Sequence, residues 1–467
     1  MLEANIIFDA FEYGDSENFT KTYYQYSGSE ENGWKIYRNE HCIETLGSGY
    51  IALKTLACGI CSTDLARVRL PFPLPQITGH EVVALYENRP VVVEINASHK
   101  ARGCEDADCW FCKNSLSNHC PDRLTLGIDR LPGGFSPFIL APKNSIVPLP
   151  NELQTDEATL VEPFAAALHA VKNEDIVSAK AIAVVGVKRL GGLLILALKL
   201  MRLELRVDFK IAAVIRNSNM RDFCYAAGAD FVVLVNELGA EQYDIVFDTS
   251  GSVSGIETAL KISKSTLHVK STHGLSVCGF SELTALVINE GRLMSFKHFN
   301  DKVNSIIDKN INSVLLIDSS LPENVQKNII DCMKDAKYVI ANIQNLDSKI
   351  KYHMAVISGV EGLNIALQSQ VIMPKGAVFL YDSKPQFSSN NFLENALHQK
   401  NIQIHTSRCG DFSEALILLS HHYSIFKHFA QKFITHHFGI KDLNQAFKLA
   451  RTDKKSIKIV VNHEVET

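Results

Sequence analysis

The strongest constraint on the fold of this chain is a regular alternation of short apolar segments with longer helical ones, which begins at Glu162. An alanine-rich helix (164–171) is followed by an apolar strand (181–185) and a long apolar helix (191–203). Further predicted strands lie at 211–215, 231–235, 244–248 and 267–270, with helices near 220–227 and 255–262 between them. Parallel strands need long, usually helical crossovers, so this order predicts a doubly wound parallel α/β sheet.

An internal repeat follows in the same region. The segment YDIVFDTSGSVSGIETALKISKSTLHVKSTHG, which starts at Tyr243, resembles YHMAVISGVEGLNIALQSQVIMPKGAVFLYDSK, which starts at Tyr352. Downstream, ELTALVINEGRLMSF matches FLENALHQKNIQIHTS. The alternative is that any two strand–helix segments look alike, but three consecutive elements keep their order and spacing. We therefore predict that residues 205–298 recur as residues 305–407, in a second copy without a glycine-rich first turn.

The regions on either side have a different pattern. Residues 1 to about 160 contain short β-branched or aromatic runs separated by Gly, Pro and Asn, which predicts a β-rich domain. Residues 1–45 are aromatic and acidic, and we interpret them as extra strands or a cap on that domain. The tail from 433 to 462 predicts a turn, a helix and a closing strand that pairs back onto the β-rich domain.

Composition excludes several classes of partner. Of the 467 residues, 47 are Lys or Arg and 51 are Asp or Glu, so no basic excess favours nucleic acid or anionic lipid. The longest apolar stretch, 190–201, falls short of the ~20 residues that cross a bilayer. The first residues are acidic and lack the basic and apolar regions of a secretory signal, so we expect a cytoplasmic protein with neither nucleic acid nor membrane as a partner.

Eleven cysteines in a protein expected in the cytoplasm call for a role other than disulfides, and six of them fall in two clusters. The first constellation consists of Cys61, Thr63, Asp64, His80, Glu81 and Glu162. A thiolate, an imidazole and a carboxylate make a three-ligand set that leaves the fourth zinc position open for catalysis. In this set Asp64 is positioned to orient the histidine, and Thr63 to carry a proton.

The second constellation consists of Cys104, Cys109, Cys112 and Cys120, all on one loop. Such spacing in a reducing compartment predicts a closed structural zinc site. The alternatives are free thiols or a redox pair formed by Cys109 and Cys112. A redox pair needs βαβ surroundings, which this loop lacks.

These motifs resemble the medium-chain dehydrogenase/reductase superfamily and its zinc alcohol dehydrogenase-like proteins. The resemblance rests on CGICSTD, GHE, the four-cysteine lobe, VEPFAAALHAV, a βαβ unit and FDTSG, over residues 48–290 and from 400 to the end. It implies a GroES-like catalytic domain, a Rossmann dinucleotide-binding domain and an active site in the cleft between them. We expect the catalytic domain at 1–165 and 408–467, the Rossmann domain at 166–300 and the duplicated half-Rossmann insertion at 301–407.

The resemblance also implies residue roles. Catalytic zinc would lie on Cys61 and His80, with Glu162 or Glu81 as the carboxylate partner, and the proton-relay hydroxyl would be that of Thr63. The implied reaction is reversible hydride transfer between an alcohol and a nicotinamide in a homo-oligomer. The usual subunit-contact strand of the superfamily would fall near 402–407, after the second copy.

The cofactor region departs from the superfamily pattern. The residues expected to bind the dinucleotide are Gly186, Val187, Lys188, Leu190, Gly191, Arg216 and Ser250. Lys188 replaces the middle glycine, which lets the backbone approach the pyrophosphate, so its side chain either pairs with the phosphates or blocks them. The next strand ends in Arg216 without an acidic residue, which favours NADP over NAD.

Three functions remain in competition. The leading hypothesis is a zinc-dependent dehydrogenase acting on a small alcohol, polyol or sugar. The second is a non-enzymatic descendant that has lost dinucleotide binding and acts in binding or assembly. The third, a thiol redox protein, predicts a zinc-free chain with a low-pKa cysteine.

Overall fold

The computed structural model describes residues 4–104, 108–271, 276, 280–307, 314–333, 337–381 and 392–463. The chain divides into two compact units. The first comprises 1–166 with 409–467, and the second comprises 167–408. None of the helices in these described ranges combines the length and the apolar character needed to span a membrane.

In chain order, the strands are β1 (Ala4–Tyr13), β2 (Phe19–Ser29), β3 (Gly33–Arg38), β4 (His41–Leu46), β5 (Tyr50–Gly59), β6 (Glu81–Tyr86), β7 (Arg89–Val93), β8 (Asn96–Ala97), β9 (Leu124–Leu126), β10 (Arg130–Leu131), β11 (Phe138–Pro142), β12 (Ile146–Pro148), β13 (Ala181–Val185), β14 (Lys210–Ile215), β15 (Phe231–Leu234), β16 (Tyr243–Asp248), β17 (Ser263–Val269), β18 (Arg292–Ser295), β19 (Val314–Asp318), β20 (Lys337–Ala341), β21 (Tyr352–Ser358), β22 (Ile372–Tyr381), β23 (Gln403–Thr406), β24 (Ile434–Gly439) and β25 (Lys458–Asn462).

The helices are α1 (Ser62–Leu65), α2 (Trp110–Lys113), α3 (Thr155–Ala158), α4 (Val161–Lys172), α5 (Arg189–Leu205), α6 (Arg221–Ala227), α7 (Val253–Ile262), α8 (Leu283–Ile288), α9 (Phe299–Ile307), α10 (Glu323–Cys332), α11 (Gly359–Gln368), α12 (Phe392–His398), α13 (Phe412–His421), α14 (Tyr423–Phe433) and α15 (Leu443–Thr452).

The first unit is built mainly from antiparallel strands, and its parallel pairs among the described residues are β9 with β10 and β24 with β25. Its largest sheet contains β12-β7-β6-β5-β25-β24, with β11 paired to β5, so β25 of the tail pairs with β5 in this unit. Residues 4–46 form a separate meander, β1-β2-β3-β4. An aromatic cluster fastens this meander to the unit, since the ring of Phe19 lies 4.6 Å from that of Phe447 on α15, and Phe447 lies 5.6 Å from Phe135. The N-terminal segment is therefore a set of extra strands on the β-rich domain.

The second unit contains the expected doubly wound sheet. Over the described residues its strand order is β15-β14-β13-β16-β17-β23-β18-β22-β21-β19-β20, and the pairing is parallel except between β18 and β23. Ile182, Ala183 and Val184 of β13 are fully buried, as in a sheet covered by helices on both faces. Buried strands of this kind account for the short apolar segments that alternate with helices in the sequence.

The internal repeat is part of this same sheet. The order β20-β19-β21-β22 reproduces β15-β14-β16-β17 of the first copy, but the second copy has no counterpart of β13 and α5 among the described residues. The turn between β13 and α5 is the glycine turn. The second copy therefore lacks the glycine turn, because the repeated segment begins after that turn.

Candidate active site and metal centres

The Cys61 turn and the start of β6 are neighbours because β5 and β6 pair antiparallel, with Gly59 opposite Glu81. Cys61 is the N-cap residue of α1, and Asp64 in that helix is buried. Asp64 Oδ2 accepts a hydrogen bond from the Cys61 N–H at 2.8 Å, and Asp64 Oδ1 accepts one from the Gly79 N–H at 3.1 Å. One buried carboxylate thus fixes the loop that carries the thiol and the loop that carries the imidazole.

The imidazole of His80 lies against this carboxylate. His80 Nδ1 is 3.6 Å from Asp64 Oδ1, and within the described part of the chain this buried nitrogen has no hydrogen-bond partner. Burial alone would lower the pKa of His80, but the Asp64 carboxylate and the Cys61 sulfur raise it well above its ordinary value. The Cys61 thiol donates a hydrogen bond to Thr63 Oγ1 over 3.7 Å. A thiol and an imidazole with a carboxylate behind the ring suit zinc, so the residues fit the expected metal.

The two carboxylates that the sequence offered as the third ligand have different surroundings. Lys458 Nζ donates hydrogen bonds to Glu81 Oε1 and Oε2 at 2.6 and 2.5 Å, and both side chains are almost fully buried. Glu162 lies in the first turn of α4. Among the described residues, the ligand atoms of Cys61, His80 and Glu162 do not all lie within 4.8 Å of one another. Sequence reasoning missed Lys458, whose only signal was a lysine inside the apolar run SIKIVV.

In the cysteine lobe, the group of potential ligand atoms that lie close together differs in one member from the expected set. Ligand atoms of His99, Cys109, Cys112 and Cys120 all lie within 4.8 Å of one another, and Cys104 does not belong to this group. Cys120 Sγ is 3.4 Å from His99 Nδ1 and 3.8 Å from Cys109 Sγ. Three sulfurs and one imidazole suit a tetrahedral zinc site.

Two further observations support this set. His99 Nε2 lies 3.7 Å from Asp122 Oδ2, and a carboxylate on the second ring nitrogen is the usual companion of a metal-ligating histidine. Burial by itself would raise the pKa of Cys109, but the Cys112 amide and His99 bring it down to about 7. Cysteine spacing gives no indication of His99, and the signal in the sequence is its position five residues before Cys104.

The glycine turn of the second unit lies between β13 and α5. The strand order reverses at β13, which has β14 on one side and β16 on the other. Gly186 has φ +85°, and a Cβ there would come within 2.6 Å of the Ser250 Cα. A Cβ on Gly191 would meet Thr249 Oγ1 at 2.8 Å, and that hydroxyl donates to the Gly186 carbonyl at 3.1 Å. Only glycine fits these two positions, and a turn of this kind at a topological switch point is where a dinucleotide binds. Val187 is buried beside it.

The residue that replaces the middle glycine stands just before the helix. Lys188 is half-buried and is the N-cap residue of α5, which begins at Arg189 and continues through Leu190. The first N–H groups of a helix point toward its N-terminus and favour an anion there. An anion at this helix start would therefore lie beside Lys188, which takes the position of the expected middle glycine.

Arg216 reaches across the end of the sheet from β14 to α7. Its Nη2 donates to Ser254 Oγ at 2.5 Å and to Ser252 Oγ at 3.3 Å, while the side chain stays exposed. Ser250 Oγ is 3.2 Å from Ser252 Oγ, and the Ser250 N–H donates to Asp248 Oδ1 at 3.2 Å. The structure thus adds Ser252 and Ser254 to the candidate cofactor residues, as hydroxyls gathered around one guanidinium.

Comparison with known proteins matches these features. The alcohol dehydrogenase GroES-like domain matches residues 47–151. An L-threonine 3-dehydrogenase from Mesorhizobium japonicum is 25% identical over 152 residues, which cover 30% of this chain and 44% of that protein. The chain therefore spans less than half the length of this relative.

Solved structures extend the likeness to the whole fold. An L-idonate 5-dehydrogenase from Escherichia coli superposes with a TM-score of 0.57 at 14% identity, covering 99% of this chain and 100% of that one. A zinc-binding dehydrogenase from Sinorhizobium meliloti, described as bound to NADP, gives a TM-score of 0.54 at 14% identity, with coverage of 98% and 99%. At this level of identity the likeness is one of fold.

Proposed function

We propose a function for this chain on the basis of its superfamily. The chain is one of the zinc-dependent alcohol dehydrogenase-like proteins of the medium-chain dehydrogenases/reductases. The proposed activity is hydride transfer between a hydroxyl of an alcohol, polyol or sugar and NADP. The observation that carries this proposal is the placement of Asp64, whose buried carboxylate ties the Cys61 turn to the Gly79–His80 loop. Packing alone requires neither a thiol nor an imidazole at those two positions.

Each residue of the site has a proposed role. Cys61 and His80 would hold the metal, with Glu162 as the carboxylate, because Lys458 engages both oxygens of Glu81. Zinc bound there supplies a Lewis acid that polarises the substrate oxygen. Asp64 orients the imidazole, and Thr63 relays the hydroxyl proton toward solvent.

A second zinc would occupy the cysteine lobe as a structural ion. The proposed ligands are His99, Cys109, Cys112 and Cys120, and Cys104 has no part in this set. A closed four-ligand site leaves no position for substrate, so its contribution is to the stability of the loop.

The proposed cofactor is NADP. The Gly186 turn and the start of α5 would receive the pyrophosphate, with Lys188 pairing with a phosphate oxygen. Arg216, with the hydroxyls of Ser252 and Ser254, would receive the 2′-phosphate, since a guanidinium forms two parallel hydrogen bonds with such a group.

Loss of the Cys61 thiol is expected to abolish the reaction. We expect Cys61→Ala to lower kcat/KM by more than about 100-fold. Even the loss of a residue that only hydrogen-bonds to a metal ligand lowers metal affinity or activity by roughly 10–100-fold. The measurement is the initial rate with NADP on sorbitol, xylitol and 2-propanol, together with the zinc content per chain, which should fall by one. Cys42→Ser is the matched control, because that cysteine is exposed on β4. A Cys61→Ala chain that keeps both its rate and its zinc would contradict the assignment.

Loss of the Arg216 guanidinium is expected to remove the preference for NADPH. We expect Arg216→Ala to weaken NADPH binding by roughly 10–100-fold, because charge-assisted hydrogen bonds contribute about 1.5–3 kcal/mol, while NADH binding stays nearly unchanged. Fluorescence titration with each nucleotide measures this, and Arg89→Ala, an exposed arginine on β7, is the control. Equal losses for both nucleotides would place Arg216 outside the 2′-phosphate site.

The same titration of the unmodified chain decides between the two main hypotheses. Binding of NADPH requires that Lys188 be tolerated in the glycine turn. If neither nucleotide binds, Lys188 closes the turn, and the non-enzymatic function in binding or assembly replaces the dehydrogenase.

A further inference from the structure

The two copies of the repeat exchange their last helix and strand. In the chain, α8 and β18 follow β17, yet β18 pairs with β22 of the second copy and α8 packs on α11. Conversely, α12 and β23 follow β22, yet β23 pairs with β17 of the first copy and α12 packs on α7. Each half of the sheet is therefore completed by an element of the other copy.

Polar contacts follow the same exchange. The Ser281 N–H, just before α8, donates to Asn364 Oδ1 on α11 at 3.1 Å. Lys400 Nζ, just after α12, lies 3.4 Å from Glu241 Oε1 in the first copy. The exchanged elements are thus held by specific contacts on both sides.

The antiparallel contact between β18 and β23 has the form of a two-fold interface. Leu293 and Ile404 occupy the same position in the aligned repeats, and they are directly paired with each other. In a two-fold interface, residue i contacts j and j contacts i, so a residue on the axis meets its own equivalent. Both side chains are buried.

Hydroxyl groups at the ends of these strands repeat the symmetry. Thr406 Oγ1, at the end of β23, donates to the carbonyls of Leu286 and Gly291 before β18, at 3.1 and 2.8 Å. Ser295, the equivalent of Thr406, ends β18, and its Oγ lies 3.2 Å from His398 Nδ1, the last residue of α12. Each strand end therefore binds the connection that leads into the other strand.

We infer that the second copy is a built-in partner, which occupies the sheet edge that a second molecule of a single-copy chain would cover. An uncovered edge strand offers unpaired N–H and C=O groups to another chain. Here β23 has β17 on one side and β18 on the other, both from the same molecule. The arrangement is a strand-exchanged two-fold dimer contained in one polypeptide, and this edge takes no part in self-association.

The test asks whether β18 and β23 meet within one chain or between two. Directly opposed residues of antiparallel strands have Cα atoms about 4.5–5.5 Å apart, which is within the reach of a disulfide. The full-length double variant Leu293→Cys/Ile404→Cys is oxidised and examined on a non-reducing gel and by mass spectrometry, with the two single variants as controls. We expect a disulfide in a product with the mass of one chain.

Because the two positions are buried, a second experiment uses the milder single variants. Chains carrying Leu293→Cys are co-expressed with differently tagged chains carrying Ile404→Cys, and no product joining the two tags is expected. A two-chain product in either experiment would show that the exchange takes place between molecules and would overturn the inference. So would the absence of any cross-link in a double variant that melts at the temperature of the single variants.

Discussion

Replacing Lys458 with methionine is expected to destabilise the first unit by about 3–5 kcal/mol, the usual cost of removing one partner of a buried ion pair. The ammonium of Lys458 bonds to both oxygens of Glu81, and it also donates to the Ile60 carbonyl at 3.3 Å. Without it, the Glu81 carboxylate would remain in a site closed to water. The large effect comes from that stranded charge, since the intact pair itself contributes little net stability.

The chain offers a convenient probe for this measurement. Its two tryptophans are Trp34 and Trp110, and both lie in the first unit. Urea unfolding followed by tryptophan fluorescence therefore reports on this unit by itself. Lys454→Met is the matched control, because Lys454 is exposed just before β25, and its free energy of unfolding should stay within about 0.5 kcal/mol of the unmodified chain.

A double variant separates the stranded charge from lost packing. In Glu81→Leu/Lys458→Met neither charge remains, and replacement of a buried pair by apolar residues is often neutral or stabilising. We expect this variant to recover most of the stability that Lys458→Met loses. A double variant as unstable as Lys458→Met would contradict this explanation, as would a Lys458→Met chain equal to the Lys454→Met control.

Local patterns predicted much of this fold. The predicted strand at 181–185 coincides with β13, the one at 211–215 lies within β14, and the helix expected near 220–227 is α6 (Arg221–Ala227). These elements have an apolar periodicity of their own, which neighbours along the chain suffice to reveal. The closing strand of the tail was predicted as well, but no local pattern identifies β5 as its partner.

Contacts between distant segments were not predictable in the same way. Lys458 and Glu81 are 377 positions apart in the chain, and a lysine in an apolar strand gives no indication of which carboxylate it pairs with. The ligand set with His99 depends on how the lobe folds, which cysteine spacing alone does not determine. The exchange of β18 and β23 changes no local pattern, because both strands have the same sequence character and differ only in their neighbours.

The second large expected effect is a loss of folding stability at low pH, and it rests on a buried carboxylate in the second unit. Glu174 Oε1 is 2.5 Å from His268 Nδ1, and Glu174 Oε2 is 2.9 Å from His405 Nδ1. The two histidines are directly paired on β17 and β23, so both rings meet the one carboxylate. Burial alone would raise the pKa of Glu174, but His405 and His268 outweigh it and hold this pKa to about 2.

The sign of the pH dependence follows from this depressed pKa. The Glu174 carboxyl of the unfolded chain takes up its proton near pH 4.5, whereas that of the folded chain does so only near pH 2. The stability from this group is therefore complete above about pH 4.5 and is lost as the pH falls toward 2. A shift of this size corresponds to about 3 kcal/mol. Burial lowers the pKa of His268, which adds a further loss as the pH falls below 6.5.

We therefore expect Glu174→Gln to be less stable than the unmodified chain by about 3 kcal/mol at pH 7, with the difference shrinking steadily between pH 4.5 and pH 3. The measurement is urea unfolding followed by circular dichroism at 222 nm, with tryptophan fluorescence recorded in parallel to identify the transition of the first unit. Glu361→Gln, at an exposed position on α11, is the control and should follow the unmodified chain at every pH. A difference that stays constant down to pH 3 would show that Glu174 acts through its shape and hydrogen bonds. In that case the carboxylate charge would not be what holds β17 and β23 to the end of α4.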